Sequence, residues 1–262
     1  MALLYHKAEG DMKMRDRLKA IVLAAGKGTR LRTEGCDLPK VMRLAAGRPL
    51  LSYVLDGLSF IDNEDITIVV GYKKEDVMAG FPQYSFAEQR EQLGTGHAVM
   101  SAASVLDGYD GAVLVCCGDM PLLKRETYKA MWDAYRTSNT ACVILTGTAD
   151  TYLPYGRIVR DENGEFVKMV EEKDCTEEQK KITELNSGVY IFDSALLLSA
   201  LKELKSDNAQ GEYYLTDVPA ILKSRGEKIS LCRRELGNEI IGVNTVEQLK
   251  EVESIINADR TL

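Results

Sequence analysis

AIVLAAGKGTRLRTEGCDLPK, residues Ala20 to Lys40, joins a strand to a loop. Ala20 to Leu23 is a short apolar run of the kind that forms a buried strand. It feeds directly into Ala24-Ala25-Gly26-Lys27-Gly28-Thr29-Arg30, a loop of small residues. Without bulky Cβ substituents, its backbone N–H groups can approach a phosphate closely. Lys27, Arg30 and Lys40 add positive charge, and a guanidinium grips phosphate oxygens with two donors. Leu23, Ala24, Ala25, Gly26, Gly28 and Thr29 therefore read as the wall of a nucleoside triphosphate site, although a lone GxG also serves ordinary tight turns. Two named motifs fail. Leu31 stands where GxGxxG needs its third glycine, which excludes a dinucleotide fingerprint, and no GxxxxGK[ST] occurs anywhere.

Outward from the loop, strand and helix patterns alternate. Leu50, Leu51, Val54, Leu55 and Leu58 make an apolar stripe of helical period across Arg48 to Ile61, with Pro49 suited to its first turn. Ile66 to Gly71 reads as a second buried strand and Lys73 to Ala79 as a short helix. A third strand is expected over Ala112 to Cys117, a helix over Arg125 to Thr137 with Trp132 on its apolar side, and a fourth strand over Ala141 to Thr146. This alternation predicts an α/β fold: a Rossmann-like, mostly parallel sheet with helices on both faces. Past residue 150 the pattern changes. Tyr155 to Arg160 and Phe166 to Val170 flank Asn163-Gly164, a hairpin signal, so a smaller antiparallel lobe is expected to fold over the ligand. Ala195 to Lys205 reads as a helix and Lys228 to Cys232 as a strand. Thr245 and Gln248 form a capping-box pattern before the final helix. The expected organisation is an N-terminal extension over 1–17 and one domain over 18–262. Within it, 18–150 is mainly nucleotide-binding, 151–244 mainly sugar-binding, and 245–262 a C-terminal helix.

The 262 residues are 45% hydrophobic and 28% charged, ordinary for a globular protein, and carry a net charge of −7. That balance argues against a nucleic-acid partner, which needs a cationic face. No apolar run has the length of a membrane span or a signal-peptide core. The six cysteines (Cys36, Cys116, Cys117, Cys142, Cys175 and Cys232) show no CxxC spacing and suit small buried hydrophobes in a reducing cytoplasm. With only His6 and His97 present, a mechanism built on several histidines is excluded.

Four further segments carry chemistry. In Gln89 to Ala98 (QREQLGTGHA), Gln89 and Gln92 offer amide donors and acceptors suited to the edge of a pyrimidine, or else are exposed residues at a glycine-rich helix entry. Asp119 follows the third strand, where open α/β sheets place their ligands. It is a hard oxygen donor for Mg²⁺ or a helix cap. Gly156 in YGRI, Glu171 in EEKD and Asn186 in NSGVYIF supply open space, a carboxylate and an amide for sugar hydroxyls, or else a turn and solvated polar groups. Asn244, in GVN, either shapes a turn or offers an oxygen.

Taken together, LAAGKGTR, LPKV, QxxQLGTGHA, GDxPL, YGRI, NSGVYIF and DNAQGEYYLTD resemble the sugar-1-phosphate nucleotidyltransferase (sugar-nucleotide pyrophosphorylase) family. The similarity is greatest to the N-acetylglucosamine-1-phosphate uridylyltransferase domain of bacterial bifunctional uridylyltransferase/acetyltransferases, and it covers about Lys19 to Asn257. It implies the nucleotide-diphospho-sugar transferase fold. It implies UTP and N-acetylglucosamine-1-phosphate as substrates, and UDP-N-acetylglucosamine and pyrophosphate as products. By the same resemblance Gln89 would meet the uracil, with Gly94 and Thr95 lining that site and Gln92 a secondary contact. Gly118, Gly156, Glu171, Asn186, Tyr214 and Thr216 would surround the sugar, and Asp119 with Asn244 would hold Mg²⁺. His97 is taken as structural. Arg30 would stabilise the β,γ-phosphates and Lys40 the α-phosphate, as the catalytic pair. The family domain carries a Tyr before the Gly-Asp pair. Here it is Cys117, which keeps glucose-1-phosphate with UTP or dTTP open as the substrate pair. A non-catalytic UDP-sugar sensor is the reading from another class. No hexapeptide repeat of the family's β-helix part is present, so acetyltransferase activity is not expected. Neither a nucleic-acid nor a membrane partner is expected, and the oligomeric state is left open.

Overall fold

The computed structural model of the protein describes residues 17–31, 37–148 and 152–259. Its elements run β1 (Leu18–Leu23), a small hairpin of β2 (Leu44–Ala45) and β3 (Arg48–Pro49), α1 (Leu50–Gly57), β4 (Ile66–Val70), α2 (Lys74–Gly80) and β5 (Ser85–Glu88). There follow α3 (Thr95–Ser101), β6 (Ala112–Cys117), α4 (Arg125–Thr137) and β7 (Cys142–Gly147). The second half holds β8 (Arg157–Arg160), β9 (Phe166–Val170), β10 (Leu185–Asp193), α5 (Ser194–Leu201), α6 (Val218–Ser224), β11 (Ile229–Arg233) and α7 (Val246–Asp259).

One sheet runs in the order β11-β7-β10-β6-β1-β4-β5, with β8 and β9 attached through β10. β1 pairs in parallel with β4 and β6, β4 with β5, and β11 with β7. β10 alone on this path runs antiparallel to its neighbours, between β6 and β7. Side chains alternate across the sheet as a strand's two-residue period requires. On one face Ala20, Val22, Leu114, Cys116, Val143 and Leu145 pack beneath α1, α2 and α4. On the other, Ile21, Val113, Val115, Cys142 and Ile144 pack beneath α3, α5 and α6. Burial on both sides explains why these strands are continuous apolar runs in the sequence. α7 covers a third, smaller core in which Val252 and Ile256 meet Leu31, Ala45 and Val243. Among the described residues no helix is long and apolar enough to cross a membrane.

The mostly parallel sheet with flanking helices is the expected architecture, and the departures are local. α1 begins at Leu50, because Arg48 and Pro49 are drawn into a ladder with Leu44 and Ala45. The helix that follows the glycine-rich entry at Gly94 is short, ending at Ser101, and a 3-10 turn follows over Ala103–Leu106. The β8–β9 connection is a turn from Asp161 to Gly164, closed by Gly164 N donating to Asp161 O at 3.0 Å. Only Gly164 is left-handed there, at φ +79°, and Asp161 Oδ1 accepts from the N–H groups of Asn163 and Glu165. An Asx turn thus replaces the two-residue turn that Asn-Gly suggests. The antiparallel lobe is not a separate sheet, since β10 joins its hairpin to the main one. The N-terminal extension through residue 16, Cys36 and the expected boundary at 150 lie outside the described residues.

Candidate active site

β1 delivers the chain into its loop at the C-terminal edge of the sheet. Gly118 N donates to Leu23 O at 2.9 Å, and Ala24 N to Val69 O at 2.8 Å, pinning the loop between β4 and β6. Gly28 is left-handed at φ +60°, and a Cβ there would stand 2.7 Å from Lys40 Cβ. Glycine therefore lets the loop close onto Lys40. Among the described residues, the N–H groups of Gly26, Lys27 and Gly28 have no protein acceptor. They remain available to an anion.

A cavity of about 230 Å³ opens beside this loop. It collects Leu23, Ala24, Ala25 and Gly26 with Gln89, Gln92, Gly94 and Thr95, and with Lys40. The buried Gln89 donates through Nε2 to Gly94 O at 3.0 Å, and the same nitrogen lies 3.1 Å from His97 Nδ1. Its amide orientation is thereby fixed, with Oε1 left as the atom for a ligand donor. Gly94 and Thr95 are tied to the segment after α5. Tyr213 N donates to Leu93 O, Gly96 N to Tyr213 O, both at 2.8 Å, and Leu215 N to Thr95 Oγ1 at 3.0 Å.

A larger cavity of about 580 Å³ lies on the other side of Asp119, lined by Arg30, Gly156, Glu171, Asn186 and Asn244 among others. β10 brings Asn186 there because it runs antiparallel to β6, so its first residues meet the C-terminal end of β6. The bulge between Asn186 and Tyr190, with Gly188 left-handed at φ +75°, turns this end towards the cavity. Asn186 is held by its own network, Nδ2 donating to Tyr190 Oη at 2.6 Å and Oδ1 accepting from Gly188 N at 3.1 Å. Glu171 accepts from Thr216 Oγ1 at 3.0 Å. Burial raises its carboxyl above the usual carboxylate range, and the Thr216 hydroxyl offsets part of that rise.

Among the described residues only Cys117 and Asp119 line both cavities. Burial pushes the Cys117 thiol far up, so it is a neutral apolar group at this junction. The segment bearing Asn244 is held against the same place: Val243 N donates to Asp119 O at 2.9 Å and Gly242 N to Tyr155 Oη at 2.7 Å. The Lys40 ammonium binds Asp119 Oδ2 and donates to Asn244 Oδ1 at 2.7 Å, while Arg30 Nη2 reaches Asn244 Oδ1 at 3.4 Å. Two oxygens, one anionic and one amide, thus converge on a single cationic centre. That donor set suits a hard dication such as Mg²⁺, which keeps much of its water shell and takes few protein oxygens.

Five of the expected contacts lie off the cavity walls. Gly28 and Thr29 sit beyond the smaller cavity, the former packed on Lys40. Gly118 faces the core, where a Cβ would meet Leu23 O, Leu51 Cδ1 and Val41 Cγ1, each at 3.2 Å. Tyr214 is buried with its hydroxyl accepting from Gln210 Nε2 at 2.9 Å, and Thr216 acts through Glu171. Conversely, Tyr155, Glu172, Lys173, Gln210 and Gly242 line the larger cavity without having been singled out. Tyr155, Glu172 and Lys173 adjoin motif residues, but a wall residue with no distinctive chemistry leaves no mark in a single sequence.

The family model of the MobA-like NTP transferase domain matches residues 20–217. The chain is 45% identical over 235 residues to the bifunctional protein GlmU of Lactococcus lactis subsp. lactis (strain IL1403), covering 89% of this chain and 51% of that protein. It is 45% identical over 240 residues to the bifunctional protein GlmU of Streptococcus sanguinis (strain SK36), covering 90% and 51%. The chain thus spans about half the length of the curated relatives it matches. Among solved structures, a Bacillus anthracis protein described as a glucose-1-phosphate thymidylyltransferase, in complex with a sucrose, superposes with a TM-score of 0.69. It is 21% identical, and the match covers 91% of this chain and 95% of that one. At that identity the likeness speaks for the fold alone.

Proposed function

Because the chain belongs to the MobA-like NTP transferase domain family, we propose that it transfers a uridylyl group from UTP to N-acetylglucosamine-1-phosphate, releasing pyrophosphate. The observation that carries this reading is the pair of cavities meeting at Asp119 and Cys117. The smaller one, beside the glycine loop and Gln89, has the lining for a nucleotide. The larger one, with Glu171 and Asn186, has the carboxylate and amide for a sugar. Its acceptor would be the substrate named for the resembling domain, and the similarity to two GlmU proteins supports that choice.

The reaction needs a nonbridging oxygen of the sugar phosphate to attack the α-phosphorus while the bond to the β-phosphate oxygen breaks. A phosphate monoester has its second pKa at about 6, so the nucleophile is already ionised near neutrality. No general base is required, in keeping with a cavity junction that holds an ion pair and a neutral thiol. The protein's task is to align two anions and neutralise their charge. Asp119 and Asn244 would hold Mg²⁺, which when bound supplies charge neutralisation to the phosphates. The free N–H groups of Gly26 to Gly28 and the Arg30 guanidinium would take the β,γ-phosphates, and Lys40 the α-phosphate. Gln89 Oε1 would accept from the imide N–H of uracil. Glu171 and Asn186 would fix the sugar hydroxyls and the N-acetyl group.

Pyrophosphate release, measured with Mg²⁺ over a grid of nucleoside triphosphates and sugar-1-phosphates, tests this. The expected outcome is turnover with UTP and N-acetylglucosamine-1-phosphate well above every other pair. A stronger response to glucose-1-phosphate or dTTP would keep the reaction class and replace the substrate. Silence across the grid, with UDP-N-acetylglucosamine still raising the melting temperature, would overturn the catalytic reading.

A further inference from the structure

Lys40 occupies the two oxygens that the metal reading assigns to Mg²⁺. Its ammonium binds Asp119 Oδ2 and lies 2.7 Å from Asn244 Oδ1, and both partners of the ion pair are largely enclosed, at 15% and 18% side-chain exposure. Lys40 also lines the smaller cavity with Leu23, Ala24, Ala25 and Gly26. Its backbone is fixed, as first residue of a 3-10 turn (Lys40–Met42) packed against Gly28. The four-carbon arm beyond it retains rotatable bonds and can swing between the carboxylate and the loop. Arg30 is placed differently: among the described residues its hydrogen bond is to Asn244 Oδ1, at 3.4 Å.

An ammonium and a dication compete for the same lone pairs of Asp119 and Asn244, and they repel each other at such range. We propose that Lys40 and the divalent cation exchange on Asp119 and Asn244. Entry of the cation releases the ammonium into the loop-lined cavity, where a nucleotide phosphate receives it. The inference rests on the metal assignment above. Its consequence is reciprocal coupling. Lys40 holds down metal affinity in the nucleotide-free protein, and an anion that captures Lys40 raises it. The exchange keeps Asp119 neutralised throughout and makes the phosphate-binding lysine available when the metal arrives.

The test is Mn²⁺ alone, titrated into the nucleotide-free full chain and read by the paramagnetic resonance of free Mn²⁺. Wild type is compared with Lys40→Met, Lys27→Met and Asp119→Ala. Lys40→Met is expected to bind Mn²⁺ about 5-fold or more tightly than wild type, the low end of typical site coupling. Lys27→Met should match wild type, and Asp119→Ala should lose the site. Equal affinity in wild type and Lys40→Met would overturn the exchange and leave the metal assignment standing. Binding untouched by Asp119→Ala would overturn the metal assignment and the exchange with it. Wild type supplies a second readout that does not depend on the variant folding. Acylation of Lys40, located by peptide mass spectrometry, should rise on adding Mg²⁺ while Lys27 stays constant. An unchanged yield at Lys40 would overturn the proposal.

Discussion

At Glu171 the proposed sugar contact is set against stability. Burial, the larger effect, raises its carboxyl above the ordinary carboxylate range, and the Thr216 hydroxyl draws it only part of the way back. A carboxyl that is raised on folding binds more protons in the native state than in the unfolded one, between its two pKa values. Stability then falls as pH rises through that interval, and at neutral pH the whole cost of burying the charge is present. Glu171→Gln keeps the size and the acceptor for Thr216 Oγ1 but removes the charge. Its melting temperature should exceed wild type at pH 7, and the gain should shrink as pH falls through the raised pKa and wild type takes up its own proton. Thermal unfolding across pH measures this. In the same variant the KM for the sugar phosphate should rise, because an amide cannot replace a charged acceptor of hydroxyl groups. A melting temperature at or below wild type at pH 7 would mean that the carboxylate is repaid within the folded protein.

At the scale of elements, the segment Asn208 to Thr216 is a strap between the two half-sites. It exchanges backbone hydrogen bonds with Leu93 and Gly96, and Thr216 at its end holds Glu171. Gly94 is where the strap crosses the loop that carries Gln89. Its backbone, at φ +107° and ψ 175°, lies in a region essentially reserved for glycine, and a Cβ would stand 2.5 Å from Tyr213 O. Gly94→Ala should therefore cost about 1–3 kcal/mol of stability by chemical denaturation. It should also raise the KM for the triphosphate, since Gln89 is oriented by Gly94 O. Unchanged stability would show that the strap yields freely. The glycines of this loop were legible in the sequence; the pairing of Leu93 and Gly96 with Tyr213 was not, because backbone pairing at a distance leaves no local pattern. The same contrast holds elsewhere. β1, β4, β6 and β7 were readable because burial on both faces makes their sequences largely apolar runs, and the Thr245–Gln248 box forms with both reciprocal bonds, at 3.1 and 3.3 Å. β5 escaped notice because it is a half-exposed edge strand with no clean alternation. β10 escaped because its opening Asn186-Ser187-Gly188 reads as a turn, and composition does not encode which way a strand runs.

Across the whole molecule, that reversed strand is what gives the site two compartments. Parallel strands place β1 and β6 with their C-terminal ends together, and β10 then adds its N-terminal end, with Asn186, to the same edge. One cavity opens towards the glycine loop, the other towards β8 and β9, and Cys117 stands between them. The two compartments predict a separable pattern of KM values. Gly156 is a suitable probe of the larger one. An added Cβ would meet Val170 O at 3.5 Å, Asn186 Cβ at 3.6 Å and Glu171 Oε2 at 3.7 Å, all ordinary contacts, so Gly156→Ala takes space from the cavity rather than from the protein. It should raise the KM for the sugar phosphate and leave that for the triphosphate near wild type. Gln89→Ala should do the reverse. Cys117→Phe puts a ring at the junction, where even a Cβ on Gly188 would stand 3.5 Å from the sulfur, and should raise both together. Initial-rate kinetics with each substrate varied in turn distinguishes the three. If Cys117→Phe raised only one KM, the junction would belong to a single compartment. If Gly156→Ala raised both equally, the two cavities would act as one undivided pocket, and the assignment of nucleotide to one and sugar to the other would fall.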